Sequence, residues 1–139
     1  MAASPDCRFC DIISGKHEAE VIFEDNDVIA FLDQAPHTSG HTLVLTREHY
    51  DNLLQVPPGL LSRIFERVQS LSKTLMKALK AQGVLIVSNV IVQQTVPHLH
   101  IHIVPRWEDD QLDGFSTPNP VVSRLSDIAE KIRRELYSS

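Results

Sequence analysis

The chain has 139 residues, a formal net charge of −5, 42% hydrophobic and 22% charged residues. That length suits one domain able to bury a core without disulfides, and the acidic balance argues against a nucleic-acid binder that works by phosphate neutralisation. No apolar run is long enough to span a bilayer, so neither nucleic acid nor membrane is an expected partner.

The N-terminus, Met1-Ala2-Ala3-Ser4-Pro5-Asp6, lacks the basic start and apolar run of a signal peptide. The expected compartment is therefore the cytoplasm, with the nucleus as the alternative. Cys7 and Cys10 are then expected as thiols or metal ligands. Val21–Glu24 reads as a strand, Asp25-Asn26-Asp27 as a turn, and Val28–Asp33 as the hairpin partner. A loop from Gln34 to Gly40 leads to a third strand, His41–Thr46. Pro57-Pro58 can open a helix. Leu60, Leu61, Ile64, Val68, Leu71, Leu75 and Leu79 follow at helical spacing, and Gly83 is expected to end that helix. Val84–Asn89 reads as a fourth strand and Leu99–Val104 as a fifth, closed by Pro105. From about Val121 to Leu136 a second helical stripe runs through Leu125, Ile128, Ile132 and Leu136. Strands and helices do not alternate regularly. The pattern predicts one α+β domain over residues 1–139, with a five-stranded, largely antiparallel sheet, one long helix and a C-terminal helix.

His98-Leu99-His100-Ile101-His102 carries the chemistry. Alternate strand residues share a face, so the three imidazoles stand together while Leu99, Ile101 and Ile103 point to the core. Such crowding loses hydration and gains folding nothing obvious. The bland alternative is a solvent-exposed strand that happens to use histidine, and the spacing also admits a three-histidine zinc site. Cys7-x-x-Cys10 admits buried thiols or half of a zinc site; a redox pair is disfavoured because it precedes the first clear strand.

His98-Leu99-His100-Ile101-His102-Ile103-Val104 resembles the motif of the histidine-triad (HIT) family. Cys7-x-x-Cys10-x-Ile12-Ile13-x-Gly15 is similar to the family's opening. Phe23-Glu24-Asp25, Ala30-Phe31-Leu32-Asp33 and Gly40-His41-Thr42-Leu43-Val44 are similar to its hairpin and third strand. The likeness covers about residues 7–106, leaving 107–139 as an extension.

The resemblance implies a HIT-like fold and a nucleotide hydrolase that releases a nucleoside monophosphate, with AMP favoured. The substrate would be a phosphoramidate, an acyl-nucleotide or a dinucleoside polyphosphate. It implies His100 as nucleophile, forming a covalent nucleotidyl intermediate, with His102 and His41 beside it. His100 should have its other ring nitrogen held by a backbone carbonyl. It further implies Asp33 on the ribose, Phe9, Ile12 and Phe31 around the base, and Asn89, Gln94 and Thr95 on the phosphate side. Zn²⁺ is implied on Cys7, Cys10, His49 and His98, a closed and therefore structural ligand set. No carboxylate cluster calls for Mg²⁺. The partners implied are a purine nucleotide and a second copy in a homodimer. The alternatives are a nucleotide- or zinc-binding interaction module and a nucleotidyltransferase.

One segment departs from the family pattern. The connection Asn89–Pro97 contains no glycine, Gln93 stands where glycine is expected, and the loop is about two residues short.

Overall fold

The computed structural model describes residues 6–113 and 124–138. Cys7 opens a short helix, α1 (Arg8–Ile13), and its Sγ accepts from the Cys10 backbone N–H. Strands β1 (Val21–Glu24), β2 (Val28–Leu32) and β3 (Thr42–Thr46) follow. Next come a 3-10 turn (Leu53–Gln55), the long helix α2 (Pro58–Leu79), β4 (Gly83–Val87), β5 (His100–Arg106) and α3 (Leu125–Tyr137). The five strands form one sheet in the order β1-β2-β3-β5-β4, and every pairing is antiparallel.

The alternation expected on β5 is realised. Ile101 and Ile103 join Ala30, Leu32 and Val44 in the main core, where Leu60, Ile64, Val68, Leu71 and Leu75 of α2 cover them. Ile128, Ala129 and Ile132 of α3 complete that layer. The other face carries His100 and His102 and is covered by α1. Phe9, Cys10 and Ile12 pack there on Ile29, Phe31, Leu43 and Leu45. The sheet therefore separates a mainly aliphatic layer from one that mixes apolar and imidazole groups.

Several boundaries differ from the sequence reading, the fourth strand among them, which ends at Val87 and not at Asn89. Helix α2 stops at Leu79, and Lys80 takes the left-handed cap with φ 54°. Gly83 instead begins β4, because Gln82 N–H already donates to the Arg106 carbonyl and the ladder starts at Gly83↔Arg106. Pro105 does not close β5. Its carbonyl accepts from Thr38 Oγ1 at 2.6 Å, on the side where β3 has ended, so its missing N–H costs no ladder bond. The C-terminal helix starts at Leu125; the expected start near Val121 lies outside the described residues.

Candidate functional site

The first cluster joins the two ends of the family-like segment. Cys7 Sγ lies 3.5 Å from His98 Nδ1, Cys10 Sγ 3.5 Å from the same atom, and Cys10 Sγ 3.3 Å from His49 Nδ1. All four residues are buried, and their ligand atoms lie within 4.8 Å of one another. The outer nitrogens are spoken for: His98 Nε2 donates to the Thr46 carbonyl at 2.8 Å, and His49 Nε2 to Asp51 Oδ1 at 2.9 Å. Both rings thereby keep a lone pair on Nδ1, aimed at the sulfurs. Zn–S bonds of about 2.3 Å and Zn–N bonds of about 2.0 Å at tetrahedral angles give S···N edges of about 3.5 Å. The donor set fits a metal ion in number, softness and spacing. Burial pushes the Cys7 thiol up to about 11 and His98 down to about 4. Without a cation Cys7 and His98 are accordingly neutral near pH 7.

The second cluster is a chain of imidazoles on the same face. His37 N–H donates to His41 Nδ1 at 3.0 Å, which makes His41 Nε2 the protonated nitrogen. His41 Nε2 lies 2.9 Å from His102 Nδ1 and donates to it. His102 in turn carries its proton on Nε2. Asp33, His41 and His102 also lie close enough to share an ion, yet this tautomer chain puts a proton between the two rings. That cluster is a hydrogen-bond relay, unlike the Cys₂His₂ group. Burial pushes His41 and His102 down to about 3 and lowers His100 as well, so the relay is neutral near pH 7.

His100 departs from this chain. Its Nδ1 donates to the carbonyl of His98 at 2.7 Å, so the lone pair resides on Nε2. Phe9 stands edge-on to the His100 ring at 5.0 Å and to Phe31 at 5.5 Å. Through Phe9, the helix carrying Cys7 and Cys10 forms a wall of the histidine pocket.

That pocket encloses about 580 Å³, its mouth included. Phe9, Ile12, Phe31, Asp33, Thr95, His100 and His102 all line it. Asp33 Oδ1 accepts from Ala35 N–H, and Oδ2 faces His41 Nε2 at 3.6 Å. Asn89, Gln94 and His41 are not among the lining residues. Asn89 Nδ2 donates to the Gln93 carbonyl, and Gln94 Nε2 donates to the Asp51 carbonyl. Gln94 thereby ties the loop ahead of β5 to the residue that holds His49. In that glycine-free loop Ile91 and Gln93 adopt φ of 68° and 62°. The backbone keeps the left-handed turns that glycine would ease. Arg8 and Gln34 also line the pocket, and His37 starts the relay; the sequence reading assigned none of them. The CxxC spacing drew attention to the cysteines and away from the arginine between them. Arg106 faces neither cluster closely, since it clamps Asp110 at 2.7 Å and the Leu112 carbonyl at 2.8 Å.

This fold, with alternating histidines on β5 and a CxxC helix over them, defines a histidine-triad type of domain. The chain belongs to the HIT family: the HIT domain model matches residues 14–109. An uncharacterised HIT-like protein of Saccharolobus solfataricus is 40% identical over 106 residues, covering 75% of this chain and 76% of that protein. An adenylylsulfatase of Arabidopsis thaliana is 33% identical over 109 residues, 77% of this chain and 55% of the plant protein. The crystal structure of a zinc-bound histidine triad family protein from Mycobacterium smegmatis superposes with a TM-score of 0.87 at 32% identity, covering 98% of this chain and 96% of the other.

Proposed function

We propose that the protein hydrolyses nucleotides at the α-phosphorus and releases a purine nucleoside monophosphate through a covalent nucleotidyl intermediate on His100. The observation that carries this is the 2.7 Å hydrogen bond from His100 Nδ1 to the His98 carbonyl. It fixes the tautomer whose Nε2 lone pair can attack. An uncharged nucleophile also meets the anionic phosphate without repulsion, and a depressed pKa keeps it uncharged.

In the first step the Nε2 lone pair forms a bond to phosphorus. The bond to the leaving group breaks, and its electron pair departs with that group. The imidazole becomes cationic, and its Nδ1–H bond to the His98 carbonyl strengthens. His102 Nε2–H, set by the relay from His37 through His41, holds a phosphoryl oxygen. In the second step water attacks phosphorus, the P–N bond breaks with its electron pair returning to Nε2, and the proton that water gives up passes to solvent, from which the departed leaving group takes one. Asp33 accepts from the ribose hydroxyls, and Phe9, Ile12 and Phe31 flank the base. Thr95 faces the phosphate side, while Asn89 and Gln94 hold the loop that carries it.

Cys7, Cys10, His49 and His98 would hold Zn²⁺ as a closed structural site, and the chemistry it supplies is a cross-link between α1 and the histidine strand. The zinc-bound mycobacterial relative supports this reading. The Arabidopsis adenylylsulfatase supports hydrolysis over binding alone. A homodimer would use the outer edge of β4, the end strand of the sheet, where Ile86 is exposed.

The test offers a fluorogenic adenosine phosphoramidate and a diadenosine polyphosphate, follows nucleotide release, and traps the His100 adduct by acid quench and mass spectrometry. We expect release from at least one substrate. His100→Ala should lower turnover by at least about 10⁴-fold while nucleotide binding survives. Binding without release from either substrate would establish an interaction module. Near-native turnover in the variant would remove His100 as the nucleophile.

A further inference from the structure

The pocket has two unlike ends. His100 and His102 stand at one. At the rim, Arg8 Nη2 donates to Gln34 Oε1 at 3.2 Å and joins α1 to the loop after β2. Arg8, Gln34 and Ile12 line the pocket and also an adjoining groove with His17 and Glu18, which includes no residue of β3 or β5. The Arg8–Gln34 pair therefore sits where the pocket adjoins that groove, beside Ile12 of α1.

The chemistry of the pair is one-sided. Arginine has donors and no acceptor, so the Gln34 carbonyl must face Arg8 and its amide nitrogen must turn away. The free N–H groups of Arg8 and the Gln34 amide then present donors. Arg8 is also the only cation among the described lining residues. With the phosphate at His100 and the ribose at Asp33, the base lies between Phe9, Ile12 and Phe31, and its outer edge meets this rim. Guanine and hypoxanthine present two neighbouring acceptors there, O6 and N7. Adenine presents N7 beside an amino donor, which leaves one prong of the guanidinium unpaired.

We propose that Arg8, held by Gln34, is a specificity-determining residue that selects 6-oxopurine nucleotides over adenine nucleotides. This rests on the nucleotide reading above and replaces the adenine that the family resemblance favours. The test measures Kd for AMP, GMP and IMP by calorimetry on the native chain, Arg8→Met and Arg8→Lys. Methionine keeps an apolar stem and removes every donor; lysine keeps charge without the fork. GMP and IMP should bind the native chain about tenfold tighter than AMP, near the lower end for one bidentate pair because the rim is open to water. Arg8→Met should bring the ratio to within about twofold, and Arg8→Lys should fall between. Equal affinities, a preference for AMP, or a guanine preference that survives Arg8→Met would each overturn the proposal while leaving the nucleotide reading in place. If none of the three nucleotides binds, the nucleotide reading itself fails.

Discussion

His100 and His102 stand two positions apart on one strand, yet their hydrogen bonds give them opposite tautomers. His100 spends its Nδ1 proton on a carbonyl two residues back, a contact that a strand with histidine at i and its own i−2 carbonyl can make locally. His102 receives at Nδ1 from His41, which in turn receives from the His37 backbone. The first arrangement was implied by the family resemblance and needs only a local contact, although His102, with its own carbonyl two residues back, turns its Nδ1 to His41 instead. The second depends on β3 lying beside β5 and on the loop that places His37, so no spacing reveals it. All three rings of the site ionise below their ordinary range because they are buried. The proposed mechanism needs neutral imidazoles, so kcat/KM should be flat through pH 7 and fall on the acid side only below pH about 6.5. A pH–rate profile checks this; an acid limb centred above 7 would contradict it.

At the level of elements, α1 and the loop before β5 are the parts the sequence hid. Six residues carry too little periodicity to announce a helix, and Cys7 is an unusual cap. A signal was nonetheless present in Gly15, whose φ of 86° follows the helix end and whose N–H reaches the Ile12 carbonyl. Because Cys7 and Cys10 join this helix to His49 and His98, its Phe9 and Ile12 depend on the Cys/His cluster for their position. Chelation or Cys10→Ser should lower Tm by several degrees and weaken nucleotide binding, with elemental analysis showing about one zinc per chain before treatment and none after. The loop makes a separate case. Ile91 is 72% exposed and holds a left-handed backbone that a β-branched residue adopts at a cost of about 1–2 kcal/mol. Ile91→Gly should therefore raise stability by about 1 kcal/mol in urea melts, since little burial is lost. A loss of stability would show that Ile91 packs in solution.

For the whole molecule, strand β2 was legible because Val28–Leu32 is a short unbroken apolar run next to the turn residues Asp25-Asn26-Asp27, and the inward stripe of α2 because a period of 3.6 is written into Leu60–Leu75. The order β1-β2-β3-β5-β4 was not, since nothing local states that β5 inserts between β3 and β4. That insertion buries the histidines, and the burial has a cost in acid. Unfolded histidines take up protons near pH 6.5, whereas His41 and His102 resist until about 3. Between those values the unfolded chain holds more protons, so stability rises with pH and is lost as pH falls below about 6.5. The slope is about 1.4 kcal/mol per pH unit for each such group. Urea melts at pH 7, 6 and 5 should show this decline, and His102→Gln should flatten it; parallel slopes would assign the loss to other groups.

The contact between Cys7 and His98 spans 91 residues. Closing a flexible ring of that size costs about 4 kcal/mol of chain entropy. That cost is met by the sheet, which holds His49 and His98 beside each other, so the N-terminal segment is the part of the cluster with most chain freedom to lose. The pocket wall that Phe9 provides thus rests on a contact between distant parts of the chain.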